Sequence, residues 1–249
     1  MKRLELPNTR TVSIEQFRGP TFETSANLSR IKGIHFPEPS QMRSRRVVSR
    51  SNARSTGKYP SWKMGRMMHW ESIHELNAFR LLDCDPNVTS YCEQPCQIVY
   101  VLDGVERLHY PDIIVTTTAG KQLWEVKLRS NASEPEVLAR TAFLSRALPR
   151  WGYEYQTVFD EDLAKQPRLS NANLLLRLGK RAVNDCEWEG VRRTLAEQGE
   201  LLWSEATSDN YGAKGREILL SLVLRGILTI DMDSPISSAT EFVPKNGSF

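Results

Sequence analysis

Asp112, Glu125 and Lys127 are the residues here whose types and spacing are best suited to chemistry. They lie in HYPDIIVTTTAGKQLWEVKLR, residues 109–129, which reads as two β-strands around a short turn. Charges inside half-buried strands are costly unless something pairs with them. Alternation along the second strand puts Glu125 and Lys127 on one face, with Trp124 and Val126 on the other. If the turn is symmetric about Thr118 and Ala119, residues whose numbers sum to 237 face each other, so Asp112 lies opposite Glu125. Cross-strand partners have Cβ atoms roughly 5 Å apart. Two carboxylates that close repel by about 3 kcal/mol at an effective dielectric near 20. A divalent cation between them reverses that sign. Hard oxygen donors at this spacing suit Mg²⁺ or Mn²⁺ and not zinc. Lys127 would then position or activate a metal-bound water, or meet a phosphate oxygen, which in outline is hydrolytic phosphodiester chemistry. The competing reading is an exposed cross-strand charge pattern.

A third acid is expected on the preceding helix. WESIHELNAFRLLD, residues 70–83, carries apolar residues at Ile73, Leu76, Phe79 and Leu82, a helical period. Glu75 shares the side of Phe79 and Leu82, where an acid is best explained as a further ligand. Glu71 fits a first-turn partner of the helix dipole better. His74 and His109 are also near, and His109 reads as a capping or packing residue. No Ser-His-Asp or Cys-His set with supporting context is present, and no Gly-rich phosphate loop, which argues against nucleotide hydrolysis.

The elements that must hold these residues follow from pattern. Residues 1–40 read as an irregular arm. Residues 41–70 hold Arg43, Arg45, Arg46, Arg50, Arg54, Lys58, Lys63 and Arg66 and no acid. Such a one-signed block reads as a DNA-backbone-binding segment, with Tyr59 and Trp62 interleaved to stack, or else as a solvated loop. After the helix, residues 90–102 read as one strand ending in the Asp103-Gly104 turn, and 107–118 and 121–129 as two more. A helix over 135–151 and a strand and loop over 153–163 complete an α/β unit at about residue 165. Beyond it, residues 166–249 read as three helices and a two-stranded wing, the layout of a winged-helix domain. Acids at Glu187, Glu189, Glu197, Glu200 and Glu205 make this region a weak DNA footprint, and a helical packing domain is the alternative.

Composition sets the remaining bounds. The chain has 249 residues, a formal net charge of +3 and 40% hydrophobic residues. No apolar run approaches the ~20 residues that span a bilayer, and MKRLELPNTR lacks the apolar core of a secretory signal. The expectation is a cytoplasmic protein with no membrane partner. Cys84, Cys92, Cys96 and Cys186 are then reduced thiols, and no His/Cys set completes a zinc site.

Glu75, Tyr110-Pro111-Asp112 and Glu125-Val126-Lys127 together resemble the PD-(D/E)XK nuclease superfamily. More narrowly, residues 58–100 resemble the TnsA endonuclease subunits of heteromeric TnsABC-type transposases. In that family a basic stretch leads into the helix with the catalytic Glu. An L-L-D/E-x-D-P-x-V segment and an E-Q-P strand follow, as at Leu81–Val88 and Glu93–Pro95. The resemblance is close over about residues 58–130 and covers only layout beyond. It implies a restriction-endonuclease-like nuclease domain over 41–165 and a winged-helix domain over 166–249. It implies Mg²⁺, replaceable by Mn²⁺, held by Asp112, Glu125 and Glu75, with Lys127 as the catalytic lysine. The implied partners are double-stranded DNA at transposon ends, a DDE-type transposase and an AAA+ ATPase. The implied activity is 5′-strand cleavage at those ends, permitting cut-and-paste transposition. The best-known member has glutamine where this chain has Glu125. The alternatives are a stand-alone restriction- or repair-type nuclease and a non-catalytic DNA-binding assembly protein.

Overall fold

The computed structural model describes residues 29–38, 44, 55–206 and 212–245. The fold is mixed α/β, with several small sheets and six helices among those residues. In chain order the first elements are β1 (Arg30–His35), β2 (Gly57–Ser61), β3 (Arg66–Trp70), α1 (Ile73–Cys84), β4 (Val88–Glu93) and β5 (Gln97–Leu102). Next come β6 (Val105–His109), β7 (Ile113–Thr117), β8 (Lys121–Lys127), α2 (Pro135–Ala147), β9 (Tyr153–Phe159) and α3 (Asp160–Leu163). The last are α4 (Arg168–Leu178), α5 (Asp185–Gln198), β10 (Leu201–Leu202), α6 (Gly215–Leu224), β11 (Leu228–Thr229) and β12 (Glu241–Pro244).

A four-stranded sheet in the order β4-β7-β8-β9 carries the site. Strands β7 and β8 pair antiparallel from Ile113↔Trp124 to Thr116↔Lys121, the register the turn symmetry implies. At Asp112 that register slips by one, because its N–H donates to the Trp124 carbonyl at 2.9 Å. Strand β9 runs parallel to β8 through the crossover helix α2. One sheet face presents Ile113, Val115, Trp124 and Val126 to Phe79 and Leu82 of α1. The other presents Ile114, Leu123 and Tyr155 to Phe143 and Leu144 of α2 and to Leu148. Fully burying side chains such as Phe79, Leu123 and Leu144 contributes roughly 1.5–3 kcal/mol each.

Several local readings are corrected. The run over 90–102 is two strands, β4 and β5, which belong to different sheets. Pro95 has no N–H to give a ladder, and Gln94 turns the chain with a left-handed φ of 44°. The run over 107–118 likewise breaks at Pro111 into β6 and β7. The arm is not irregular throughout, since β1 pairs with β5 in the sheet β1-β5-β6. The helix begins at Ile73, not at residue 70: Ser72 is its N-cap and Trp70 closes the β2–β3 hairpin. Glu71 therefore precedes the first turn. The helix stops before Pro86, where Asp85 is extended.

The C-terminal helices do not stand apart. Cys84 of α1 is a member of the core made by α4, α5, α6 and the sheet β10-β12-β11, and Trp62 and Leu81 pack onto it. The Cys84 thiol donates to the Ala172 carbonyl at 3.6 Å. Helix α6 is buried without interruption from Ile218 to Leu224. Among the described residues no helix is long and apolar enough to cross a membrane.

Candidate active site

Strand β8 holds Glu125 on the sheet face covered by α2, and only 5% of the residue is exposed. Its Oε1 accepts from Lys127 Nζ at 2.8 Å and from Arg140 Nη2 of α2 at 3.3 Å. Its Oε2 is buried and accepts no hydrogen bond. His109 Nε2 lies 3.4 Å from it. His109 shares a 2.9 Å hydrogen bond with the Tyr155 hydroxyl. Burial drives His109 down to about 4 against the pull of Glu125, so the ring is neutral near pH 7. It therefore cannot neutralise the carboxylate beside it.

Asp112 is held from three sides. Its carbonyl accepts from the Gln94 N–H at 2.7 Å, its own N–H is spent on Trp124, and its Oδ2 accepts from the Val126 N–H at 2.7 Å. The carboxyl is pushed well above the usual aspartate range by burial first, and then by the charges of Glu125 and Glu75. Asp112 falls outside the regular β7–β8 pairing, so it is not the cross-strand partner of Glu125 that the turn symmetry implies. The two carboxylates are still near enough for the charge of Glu125 to raise the Asp112 pKa, and Lys127 near enough to oppose it.

Glu75 is close enough for its charge to act on Asp112, but its carboxylate has another task. Oε1 accepts from the Ser72 hydroxyl at 3.0 Å and Oε2 from the Glu71 N–H at 2.9 Å, while the Glu75 N–H donates to Ser72 Oγ. This is a capping arrangement at the start of α1. Burial still raises the Glu75 pKa, with these hydrogen bonds opposing it. Glu71 accepts from Gln94 Nε2 at 2.9 Å. Among the described residues no set of three or more His, Cys, Asp or Glu side chains is placed to hold a metal ion.

Two carboxylates remain, and they suit a hard divalent cation. One buried oxygen of Glu125 has no hydrogen bond, and the charge of Glu125 adds to burial in raising the Asp112 pKa. Magnesium takes one or two carboxylates from protein and keeps water for the rest. Glu75 fits as a neighbouring charge, since both its oxygens already accept hydrogen bonds.

No protein-family model matches the chain, and no curated protein matches it.

The basic segment divides. Arg43, Arg45, Arg46, Arg50 and Arg54 lie outside the described residues. Lys58 is exposed on β2. Lys63 is turned inward, its ammonium donating to the carbonyls of Asp85 and, at 2.7 Å, Val88. Arg66 closes a fork on Glu93 at 2.6 and 3.0 Å, and Glu93 is 1% exposed. Tyr59 and Trp62 are not free to stack on bases. Tyr59 is buried against Phe79, and Trp62 lies under Arg225.

Residue patterns missed two groups. Arg140 sits three and four residues before the buried Phe143 and Leu144. A cation on the apolar face of a helix was the available signal. Asp83 is fully buried and accepts from five donors: the Tyr59 and Tyr91 hydroxyls at 2.7 Å, Ser61 Oγ at 2.6 Å, and the N–H groups of Trp62 at 2.9 Å and Lys63 at 3.4 Å. It fastens the β2–β3 hairpin to the end of α1.

Proposed function

We propose that this chain is a metal-dependent DNA endonuclease of the PD-(D/E)XK type. It would serve as a TnsA-like strand-cutting subunit of a heteromeric transposase. One observation carries the catalytic part: two buried carboxylates, Asp112 and Glu125, close enough to raise the aspartate's pKa, with one Glu125 oxygen lacking a hydrogen bond and the other paired with Lys127. Support for a restriction-endonuclease-like core comes from the sheet β4-β7-β8-β9 with α1 and α2 on opposite faces. Three helices with the sheet β10-β12-β11 support a winged-helix-like C-terminal region. In that reading α6 occupies the place of a recognition helix, but Ile218–Leu224 are buried in this chain's own core and leave that stretch no face for a DNA groove.

Asp112 and Glu125 would hold Mg²⁺ or Mn²⁺. When bound, the ion supplies a Lewis acid for the scissile phosphate and a more acidic water. The chain's own residues do the rest. The Val126 N–H and Gln94 N–H fix the aspartate in place. Lys127, with 29% of its side chain exposed, is the cation that can reach a phosphate oxygen and offset charge gathering there. Neutral His109 and Tyr155 close the rear of Glu125 and keep water from it. Glu75 caps α1 and adds negative potential near the metal. Lys58, with the basic residues 43–54, would follow the DNA backbone.

The partners follow from the resemblance: double-stranded DNA at transposon ends, a DDE-type transposase and an AAA+ ATPase. The test combines the full chain, the proposed DDE-type transposase and AAA+ ATPase partners, Mg²⁺ and DNA carrying the transposon ends. The expected result is 5′-strand cutting at the ends, lost in Asp112→Ala and Lys127→Ala. Undiminished cutting in those variants would sink the catalytic reading. Robust plasmid cutting by the chain alone would point to a stand-alone nuclease. No cutting by the wild type with every partner present would leave a DNA-binding assembly role.

A further inference from the structure

Glu125 Oε1 accepts from two cations at once, Lys127 at 2.8 Å and Arg140 at 3.3 Å. A lysine ammonium has three N–H donors, but while it stays paired with that carboxylate its charge is shared between Glu125 and any phosphate it meets. Lys127 ends β8, sits on a flexible four-carbon stem and is the more exposed of the two, at 29% against 19%. Arg140 rises from α2, whose neighbouring Phe143 and Leu144 are packed in the core. Its Nε is buried and has no partner, so the side chain has no path to substrate through that edge. His109, the remaining neighbour of Glu125, makes no hydrogen bond to Oε2.

We propose that Arg140 is a positioning residue that keeps Glu125 paired and oriented while Lys127 leaves it for the scissile phosphate. This rests on the nuclease reading. Without Arg140, Lys127 is the sole partner of Oε1 and the charge of Glu125 holds it there. With Arg140, the carboxylate keeps a cationic partner fixed to α2 in both positions of the lysine.

The test uses the full chain in four forms besides wild type: Arg140→Met, Arg140→Lys, Lys127→Met and the Arg140→Met/Lys127→Met double variant. Two readouts are taken: strand cleavage at saturating Mg²⁺ in the reaction described above, and the rise in Tm on adding Mn²⁺. Arg140→Met is expected to slow cleavage about tenfold or more, with KM for DNA unchanged, and Arg140→Lys to recover most of the rate. The double variant is expected to be no slower than Lys127→Met, because the arginine acts through the lysine. The Mn²⁺-induced rise in Tm is expected to persist in Arg140→Met, where a defect of folding alone would lower both curves together. Losses that multiply in the double variant, or wild-type cleavage by Arg140→Met, would overturn the inference while leaving the nuclease reading intact. A wild-type chain that neither cuts nor responds to Mn²⁺ would overturn the nuclease reading, and the inference with it.

Discussion

Two buried carboxylate centres lie at the two ends of α1, and they are built oppositely. At Asp83 both oxygens are filled, by two tyrosine hydroxyls, a serine hydroxyl and two backbone N–H groups. At Asp112 and Glu125 two buried carboxylates act on each other, one Glu125 oxygen accepts nothing, and burial with the charge of Glu125 raises the aspartate's pKa. A buried charge with every lone pair satisfied holds a fold together. A buried pair left short of donors is a cost that only a ligand recovers. Burial alone would not separate the two centres. The count of donors does.

The comparison can be broken most sharply by exchanging each aspartate for asparagine. Asp112→Asn should lower cleavage by about a thousandfold or more, since it removes a ligand and a charge together. The same change should stabilise the metal-free chain by about 1–2 kcal/mol, because the Val126 N–H keeps an acceptor while a repulsion disappears. Urea denaturation reads this directly. Asp83→Asn should do the reverse and cost about 3 kcal/mol or more, because an amide cannot accept from all five donors. If both changes destabilise equally, the distinction between the centres is wrong.

Metal sharpens the contrast. Mg²⁺ at a hundred times its Kd should stabilise the wild type by about 2.7 kcal/mol. It should leave Asp112→Asn unmoved, and a melting series in Mg²⁺ decides it. The pH dependence carries a sign. A raised folded-state pKa means that the folded chain holds its proton more tightly than the unfolded one. The stability tied to the Asp112 proton is therefore complete below the ordinary value of 3.8 and is lost as pH rises through the folded-state value. The advantage of Asp112→Asn over wild type should accordingly be small below pH 4 and grow as pH is raised, in metal-free urea titrations. The smallest expected effect is at the surface. Lys58→Ala should weaken DNA binding uniformly across sequences and reduce the salt slope by about one, in fluorescence anisotropy titrations at several salt concentrations.

The charged hairpin was legible because a strand's period of two and a short turn leave few registers, and the pairs Ile113↔Trp124 through Thr116↔Lys121 follow from them. The residues that complete the site were not, because they arrive from elsewhere. Arg140 reaches Glu125 across the sheet-to-helix interface, and Gln94 reaches Asp112 from the corner between two sheets. The basic segment misled for a related reason. Charge type is visible in a sequence, but the acid that claims a base is not, and Glu93 claims Arg66 from 27 residues away. Tyr59 read as an aromatic among cations, whereas its hydroxyl belongs to Asp83. The two broken strands were marked by Pro95 and Pro111, whose missing N–H groups outweighed the continuous apolar runs around them.

The corners at those prolines also bear on the order of folding. Strands β5 and β6 form a tight hairpin through Asp103 and Gly104, both left-handed, and so pair almost entirely locally. That hairpin lies between β4 and β7, which pair with each other in the other sheet, Glu93 against Ile113. Once the hairpin closes, the ends of β4 and β7 are neighbours and the separation their pairing must bridge has largely vanished. Loop-closure entropy for the strand pair that seats Asp112 is thus spent early, on the cheapest contact available. The Asp103-Gly104 turn, remote from Glu125 in the sequence, is in kinetic terms the point from which Asp112 is drawn into place.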